Sequence, residues 1–278
     1  MYRIGKVLNH NAVLAVNGED GKQYLLMGKG IGFGKKVSER VEPGEDSRIY
    51  TLQACEERGN ADEIVKTIDP EFLEISNLVL DEAEKVFGHI DRNILFPLAD
   101  HLYYAVERIK KHEQISNPLT EDIRILFHME YKAASCVVPV LEQKFGITIG
   151  DDEVGYIALH VHSAIDDDKV SDAMKTARAV RECIEIVENA MGKRIDVMTL
   201  SYNRLMNHVR YMVARAIHGE KLKMNLNEYM SVKFPEAFMA AERICRQMEK
   251  SLKLPIPDIE IGYLAMHLER MLDTDINE

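Results

Sequence analysis

Four of the ten histidines recur at a fixed interval along the chain. His101 lies 107 residues before His208, and His160 lies 107 residues before His267. A neutral imidazole nitrogen can accept a proton, bind a metal or attack an electrophile near neutral pH. The same interval relates other side chains: Tyr104 and Tyr211, Val106 and Val213, Arg108 and Arg215, Glu153 and Glu260, Gly155 and Gly262, and Tyr156 and Tyr263. Whatever chemistry these histidines perform is therefore expected to be built twice.

Several kinds of chemistry are open to these histidines. A helical histidine is most often a packed core or surface residue. His160 and His162 suggest a metal site, but side chains two apart diverge around a helix, and the second copy has Leu268-Glu269 in this region. No serine or cysteine recurs beside the histidines, so nucleophilic catalysis through either is unsupported. The fourth alternative is reversible phosphorylation of an imidazole nitrogen, with Arg108 or Arg215 pairing with the added charge. No catalytic residue, metal ligand or cofactor site is predicted.

The first histidine of the pair is predicted to stand at the start of a helix, in the sequence Asp100-His101. At 3.6 residues per turn, this helix presents His101, Tyr104 and Arg108 on one face. A carboxylate beside an imidazole, as at Asp100, can orient the ring and make it more basic. The second copy has Asn207 in this place, and an amide can only hydrogen-bond. The two copies are therefore expected to differ here.

The elements that must position these histidines form a duplicated domain. A repeat of about 107 residues is too long for a solenoid unit and has the length of a whole domain. From about residue 62 onward, apolar residues recur at intervals of three and four, which predicts helices. The acidic run at residues 166–169 is the predicted boundary. We therefore expect two homologous all-α helical-bundle domains, at residues 62–168 and 169–278.

A second unusual feature is the segment at residues 28–36, Gly-Lys-Gly-Ile-Gly-Phe-Gly-Lys-Lys. A dinucleotide-binding fingerprint needs a third glycine where Phe33 stands, and a P-loop needs four residues between glycines followed by Lys-Ser/Thr. What remains is a pliable backbone beside an aromatic face and three lysines. This combination suits stacking of unpaired RNA bases and contacts to phosphates. The alternative is a glycine-rich turn with Phe33 in the core.

The N-terminal part is predicted to be a small antiparallel β domain. Short apolar runs at residues 4–8, 12–16, 24–27 and 48–52 are separated by turn signals, the strongest being Asn-Gly-Glu-Asp-Gly at residues 17–21. So few large side chains make a marginal core. The domain is therefore expected to dimerise and bury more area.

The charge of the chain is divided unevenly. The net charge of -11 argues against nucleic acid as a partner. Residues 1–40, however, carry seven Lys/Arg and three acidic residues, whereas the rest of the chain carries 28 Lys/Arg and 43 acidic residues. A basic start on an acidic body is typical of a nucleic-acid-binding domain joined to other domains.

The cysteines and the apolar runs indicate where the protein acts. The cysteines are too far apart for a CxxC pair or a zinc site, which predicts reduced and mostly buried thiols. They are Cys55, Cys136, Cys183 and Cys245. The N-terminus has no apolar signal core, and no apolar run approaches the ~18 residues needed to cross a bilayer. A cytoplasmic protein without membrane insertion is expected.

Taken together, these features resemble the BglG/LicT/SacY family of transcriptional antiterminators, and the glucose-type branch most of all. The resemblance extends over essentially the whole chain, and the order of its motifs makes it specific. The motifs that carry it are Lys6-Val7-Leu8-Asn9-His10-Asn11, Met27-Gly28-Lys29-Gly30-Ile31-Gly32-Phe33, Asp100-His101, Gly155-Tyr156-Ile157-Ala158-Leu159-His160 and Gly262-Tyr263-Leu264-Ala265-Met266-His267. The family often has Asn-Asn-Asn where this chain has His10 between two asparagines.

The resemblance implies a multidomain α+β protein. A small antiparallel all-β RNA-binding domain (residues 1–58) precedes two all-α regulation domains of the phosphotransferase system (PTS). In this family the protein binds a leader-RNA hairpin as a homodimer and prevents terminator formation. The positions that match the family's RNA contacts are Lys6, Asn9, Asn11, Gly28, Lys29, Gly30 and Phe33. Those that match its phosphorylated histidines are His101, His160, His208 and His267. HPr and a sugar-specific PTS permease (enzyme II) are the implied phosphoryl donors.

Two other classes of protein stay open at this stage. A DNA-binding activator with the same regulation domains would usually add a helix-turn-helix and permease-like modules, for which 278 residues leave no room. A phosphotransferase would pass the phosphoryl group onward, and stoichiometric transfer to a permease would distinguish it. The antiterminator interpretation predicts instead a regulator that is not an enzyme.

Overall fold

The computed structural model describes residues 1–52, 60–113, 115–166, 169–191, 194–195 and 199–274. By their contacts, the residues form two compact units. The first contains Met1–Asn117 and Phe127–Asp168, and the second contains Pro118–Leu126 and Lys169–Glu278. Part of the acidic run at residues 166–169 and Cys55 lie outside the described residues.

The N-terminal sheet has five antiparallel strands in the order β4-β1-β2-β3-β5. The strands are β1 (Tyr2–Val7), β2 (Ala12–Asn17), β3 (Gln23–Met27), β4 (Arg40–Val41) and β5 (Arg48–Thr51). The predicted small antiparallel domain is confirmed, and the two-residue β4 is an addition to it. Its core is small, as expected: Ile4, Val13, Ala15, Leu26 and Val41 are buried together.

The rest of the described chain is helical, as predicted. The helices are α1 (Ala61–Thr67), α2 (Pro70–Phe87), α3 (Leu95–Lys110), α4 (Thr120–Leu126), α5 (His128–Ala134), α6 (Val137–Phe145), α7 (Asp151–Asp166), α8 (Val170–Met191), α9 (Leu200–His218), α10 (Asn227–Lys233), α11 (Pro235–Leu252) and α12 (Ile259–Thr274). A fold that joins a small antiparallel sheet to helical domains is the predicted class.

Helix α2 is the element on which the first unit is assembled. Its start is specified locally, because the Asp69 side chain accepts a hydrogen bond from the Glu71 backbone amide (3.0 Å) and Pro70 occupies the first turn. It ends at Phe87, and the next residue, Gly88, has a φ of 79°, which suits glycine. The helix packs against α3 and α5, while α7 packs against α3 and α5. These contacts fix the position of α7 relative to α3.

The start of α3 differs from the prediction. The helix begins at Leu95, directly after a 3₁₀ turn at Arg92–Ile94, so His101 lies in its interior. Asp91 caps the 3₁₀ turn, because its side chain accepts a hydrogen bond from the Asn93 backbone amide (3.0 Å), and α3 itself begins without a side-chain cap. Asp100 was therefore wrongly placed at the helix start. Aspartate is a common helix-capping residue, but in the second turn the backbone amides are already hydrogen-bonded within the helix. Asp100 therefore has no free amide to cap.

The second unit repeats this plan. Helices α9 and α12 take the places of α3 and α7, and α12 packs against α9 and α11. The packing of α10 on α12 is close: a Cβ added to Gly262 would lie 2.7 Å from Asn227 Oδ1. The counterpart of α10 is α4, and it packs instead against α8, where Asp122 Oδ2 lies 3.6 Å from Arg181 Nη1. The two copies therefore differ in how this short helix is placed.

Three of the four cysteines lie within the described residues, and all three are free thiols. Burial raises the pKa of Cys136 to about 11 and that of Cys245 to about 12, and it also raises the pKa of Cys183. These thiols are therefore poor nucleophiles near neutral pH. No described helix combines the length and apolarity required to span a membrane.

Candidate functional sites

The first histidine pair lies where α3 meets α7. The ring centroids of His101 and His160 are 5.4 Å apart, with the ring planes inclined at 48°. The ring of Tyr156 lies 5.8 Å from that of His101. The histidines share an open pocket of about 380 Å³. It is lined by Ile64, Pro97, Asp100, His101, Tyr104, Arg108 and His160. Two histidines 59 residues apart in sequence are thus one site.

The carboxylate that holds His101 is Glu153, from the first turn of α7. Its Oε2 lies 3.1 Å from His101 Nε2, and its Oε1 accepts a hydrogen bond from Arg108 Nη2 (2.9 Å). Burial opposes ionisation, but His101 and Arg108 together keep the pKa of Glu153 below its usual value. The expectation that Asp100 orients this imidazole is therefore corrected. Asp100 lines the pocket, and Glu153 faces the ring nitrogen.

The second histidine pair has the same construction. The rings of His208 and His267 are stacked, with centroids 4.7 Å apart and planes 26° apart. Glu260 Oε2 lies 3.9 Å from His208 Nε2. Arg215 holds Glu260 with two hydrogen bonds, Nε to Oε1 (2.7 Å) and Nη2 to Oε2 (2.9 Å). The site is therefore built twice, as the repeat predicted.

Glu153 and Glu260 were absent from the predicted site residues. Both form part of the 107-residue repeat, and that was the available signal. Their side chains are only 6% and 2% exposed, and a glutamate is rarely buried to this extent unless it is paired. The sequence could show that the glutamates recur, but their contact with the histidines depends on the packing of α7 on α3.

Three of the four imidazoles are held in the neutral form. Burial, with a smaller contribution from neighbouring histidines or arginines, lowers the pKa of His160 and of His208 to about 3. Burial and two nearby arginines also lower the pKa of His267. A neutral ring has an unshared electron pair on one nitrogen. These side chains can therefore act as nucleophiles at neutral pH.

The His160-x-His162 pair does not form a joint site in the structure. His162 is buried elsewhere, with its Nδ1 3.1 Å from Glu130 Oε1 and its ring 4.3 Å from that of Phe127. This separation follows from helix geometry, because side chains two residues apart point in different directions. Within the described ranges, no group of three or more His, Cys, Asp or Glu side chains is arranged to hold a metal.

In the N-terminal sheet, two loops form one surface. They are the β1–β2 turn at residues 9–11 and the glycine-rich segment at residues 28–34. Asn11 Oδ1 accepts a hydrogen bond from the Gly30 backbone amide (2.9 Å), and the His10 carbonyl accepts one from the Gly32 amide (2.9 Å). These bonds bring together six of the seven predicted RNA contacts. The seventh, Lys6, is exposed on the strand that leads into the turn.

Glycine is required inside this surface. Gly30 has a φ of 72°, which is unfavourable for other residues. A Cβ on Gly32 would lie 2.2 Å from the Asn9 carbonyl oxygen, which no rearrangement of a side chain could relieve. Phe33 is 68% exposed, with the His10 ring edge-on to it at 5.2 Å. The alternative that Phe33 packs in the core is therefore wrong.

The acidic face of α2 contacts this surface. Glu74 Oε1 accepts hydrogen bonds from Asn9 Nδ2 (2.7 Å) and Asn11 Nδ2 (3.3 Å). An adjoining cleft of about 540 Å³ is lined by Asn11, Gly28 and Lys29 from the sheet side and by Glu74 and other residues of α2. A carboxylate thus occupies two amide donors that could equally bind a phosphate or a base.

A polar network fixes α2 against the sheet. The Tyr50 hydroxyl donates to Asn77 Oδ1 (2.6 Å). Arg92 donates to Asp81 Oδ1 (2.7 Å) and to Glu84 Oε2 (2.9 Å) from its two terminal nitrogens. Arg92 is only 15% exposed, so these ion pairs are partly shielded from water. By holding α2 against the sheet, the network also keeps Glu74 beside the turn at residues 9–11.

Comparisons with known proteins agree with this architecture. The chain matches the family "CAT RNA binding domain" over residues 2–58 and the family "PRD domain" over residues 61–164 and 181–271. An RNA-binding β domain followed by two PRD domains is the arrangement of a transcriptional regulator and not of an enzyme. The chain belongs to the BglG/LicT/SacY family of transcriptional antiterminators.

The relatives support the glucose-type branch. The chain is 29% identical to "Protein GlcT" of Staphylococcus haemolyticus (strain JCSC1435), with 96% of this chain and 95% of that protein covered. It is 27% identical to the "GlcA/glcB genes antiterminator" of Staphylococcus carnosus (strain TM300), with coverages of 96% and 94%. The solved "Crystal structure of GlcT CAT-PRDI" is 30% identical and superposes with a TM-score of 0.50. That match covers 59% of this chain and 98% of the solved one.

Proposed function

We propose that this protein binds a hairpin in a leader RNA as a homodimer and thereby prevents a terminator from forming. Its activity is controlled by PTS-dependent phosphorylation of four histidines. HPr and a sugar-specific enzyme II are the donors, and the reactions take place in the cytoplasm. The observation that carries the proposal is the duplicated site, in which two adjoining histidines lie beside a paired Glu and Arg. The phosphorylated residues are His101, His160, His208 and His267.

The N-terminal surface supports the RNA-binding part of the proposal. The two loops present an exposed aromatic ring, side-chain amides and Lys29 within one hydrogen-bonded frame. Stacking of Phe33 on an unpaired base would add affinity whatever the identity of the base. The side chains of Asn9 and Asn11 offer hydrogen-bond donors and acceptors that discriminate between bases. A hairpin with unpaired bases displays both kinds of feature.

The histidine sites support the regulatory part. A phosphoryl acceptor needs a nucleophilic lone pair, an open approach and a means of balancing the added charge. The lowered pKa of His160 supplies the first, and the pocket shared with His101 supplies the second. Arg108, at the edge of the same pocket, is placed to pair with the phosphate while it also holds Glu153.

The proposal is tested by titrating the full-length protein against a leader-RNA hairpin. We expect saturable binding to the hairpin that exceeds binding to an unpaired RNA of the same composition. After incubation with enzyme I, HPr and phosphoenolpyruvate, we expect the hairpin affinity to change by at least severalfold, because each phosphate adds about -1.5 to -2 charges. Equal affinity for both RNAs would contradict hairpin recognition. Unchanged affinity in a protein shown to carry phosphate would contradict the regulation.

A further inference from the structure

The four histidines do not bury the same ring nitrogen. In the first member of each pair, His101 and His208, the buried nitrogen is Nε2. In the second member, His160 and His267, the buried nitrogen is Nδ1. Among the described residues, none of these four atoms has an aligned hydrogen-bond partner. The opposite nitrogen of each ring is therefore the one on the open side of its site.

The surroundings of His101 favour one tautomer. Its Nε2 faces the Glu153 carboxylate at 3.1 Å, and Glu153 stays ionised because Arg108 is bound to its other oxygen. A proton on Nε2 is attracted to that carboxylate, whereas a lone pair there would be repelled. Of the two neutral tautomers, this contact favours the one with the proton on Nε2 and the lone pair on Nδ1. Glu260 lies opposite Nε2 of His208 at the longer distance of 3.9 Å, and both of its oxygens accept hydrogen bonds from Arg215.

The second member of each pair has the opposite arrangement. Nδ1 of His160 and of His267 points into packed protein. A phosphoryl group on a buried nitrogen would force three charged oxygens into that interior, at a large desolvation cost. His160 also lines the open pocket, which leaves Nε2 as the nitrogen that a donor can reach.

We propose that the two histidines of each pair are phosphorylated on different ring nitrogens: Nδ1 in His101 and His208, and Nε2 in His160 and His267. Glu153 is the positioning residue that selects Nδ1 in His101, and in His208 the burial of Nε2 leaves Nδ1 as the nitrogen on the open side. This inference rests on the proposed function and specifies the atom at which it acts. It also implies that His101 and His160 offer two different ring nitrogens to the phosphoryl donors that approach their shared pocket.

The transfer step balances without any further reagent. The Nδ1 lone pair of His101 forms a new P–N bond as the P–N bond of the donor's phosphohistidine breaks, and the donor ring keeps the released electron pair. The proton on Nε2 of His101 stays in place. The product ring is then a cation that bears a phosphate, and the Glu153 carboxylate balances the charge of the ring.

The test is site-resolved identification of the phosphohistidine isomer in the full-length protein. The chain is phosphorylated with enzyme I, HPr and phosphoenolpyruvate and digested under alkaline conditions. The isomer in each purified histidine peptide is identified by comparison with Nδ1- and Nε2-phosphohistidine standards. We expect the Nδ1 isomer in the peptides of His101 and His208, and the Nε2 isomer in those of His160 and His267. The same isomer throughout, or the reverse assignment, would overturn the inference. A chain that acquires no phosphate from active HPr would refute the proposed function itself.

A carboxylate-to-amide change tests the positioning role. Glu153→Gln can donate an N–H to Nε2 of His101 and so stabilise the wrong tautomer. We expect phosphorylation on Nδ1 of His101 to slow by at least tenfold, because the ring is then held with its lone pair on the wrong nitrogen. The control is Glu107→Gln, in the same helix as His101, where the side chain is 35% exposed and pairs with Lys110. Partial recovery in Glu153→Asp supports positioning. Equal slowing in both glutamine variants, or unaltered Nδ1 phosphorylation in Glu153→Gln, would overturn it.

Discussion

At the scale of single residues, burial is what makes these histidines chemically useful. A histidine in water is partly protonated near neutral pH, and a protonated ring has no free lone pair. In the folded protein, burial lowers the pKa of His160 and His208 to about 3. Both rings therefore stay neutral over the range in which a cell operates. The same property makes the fold sensitive to acid.

We predict that acid destabilises the protein through His208. A histidine whose pKa is lower when folded stabilises the protein above its unfolded pKa of ~6.5, and this stability is lost as the pH falls. Because the pKa of His208 in the folded protein is about 3, lowering the pH from 7.5 to 5 should reduce the free energy of unfolding by up to about 2 kcal/mol through this residue. Urea titrations at the two pH values should show a smaller loss in His208→Asn than in the unmodified protein. His89→Asn, at an exposed position, is the control and should keep the full loss. Parallel losses in all three proteins would contradict the prediction.

A second prediction at this scale concerns Phe33. Because its ring is 68% exposed, Phe33→Ala should leave the stability of the sheet nearly unchanged. Loss of stacking on a base should weaken hairpin binding by ~1–3 kcal/mol. Binding is measured by fluorescence titration, with Phe33→Tyr as the matched control because it keeps an aromatic face. An alanine variant that binds as tightly as the tyrosine variant would exclude stacking.

At the scale of secondary-structure elements, α2 connects the loop surface of the N-terminal sheet to the first PRD domain. It offers Glu74 to the turn at residues 9–11 and its Asn77 and Asp81 side chains to the network around Arg92. An RNA phosphate and the Glu74 carboxylate would compete for the same two amide donors. Any movement of α2 would therefore alter the availability of Asn9 and Asn11.

We predict that Glu74→Ala increases the affinity of the intact protein for its hairpin. A hydrogen bond to a charged group is worth ~1.5–3 kcal/mol, and water recovers part of it, so the expected increase is up to about tenfold. The control is Glu82→Ala, which removes the same charge from the same helix but from a side chain that pairs with Lys85. Titrations of both variants at two salt concentrations separate direct competition from a general charge effect. Equal gains in the two variants would show that only net charge matters.

Elements of this fold were predictable where the signal is local or repeated. The alternating runs and the turn at residues 17–21 indicated the strands, and the recurrence of His101 at His208 indicated the duplicated domain. The short β4 was not predictable, because a strand of two residues is created by pairing with β1 and has no periodicity of its own. The boundaries at residues 58, 168 and 169 remain predictions.

The candidate site was predictable only in part, for a physical reason. The spacing identified four histidines, but it could not show that Glu153 faces His101, since that contact depends on how α7 packs on α3. The sequence instead indicated Asp100 as the carboxylate beside His101, because a sequence shows only which residues adjoin along the chain. Likewise, the partner of Asn9 lies 65 residues away at Glu74, on a helix whose pattern alone indicates only a solvated acidic face.

At the scale of the whole molecule, the proposed homodimer would contain four regulation domains and eight of the histidines that we propose as phosphoryl acceptors. Phosphates that face each other across a dimer axis repel, and this would separate the RNA-binding domains. A phosphate that meets an arginine of the partner would instead hold the dimer closed. The same modification can therefore inhibit in one copy and activate in the other. We expect the first copy to open the dimer and the second to close it.

We propose that charge at these histidines controls RNA binding through the dimer. This proposal is tested most directly by small-angle scattering and hairpin titration of the intact protein and of its His101→Asp and His208→Asp variants. We predict that His101→Asp gives a larger radius of gyration and weaker hairpin binding, whereas His208→Asp gives a compact dimer that binds at least as tightly as the unmodified protein. Identical scattering profiles with unchanged affinity in both variants would contradict this account and leave the two helical domains as a static scaffold.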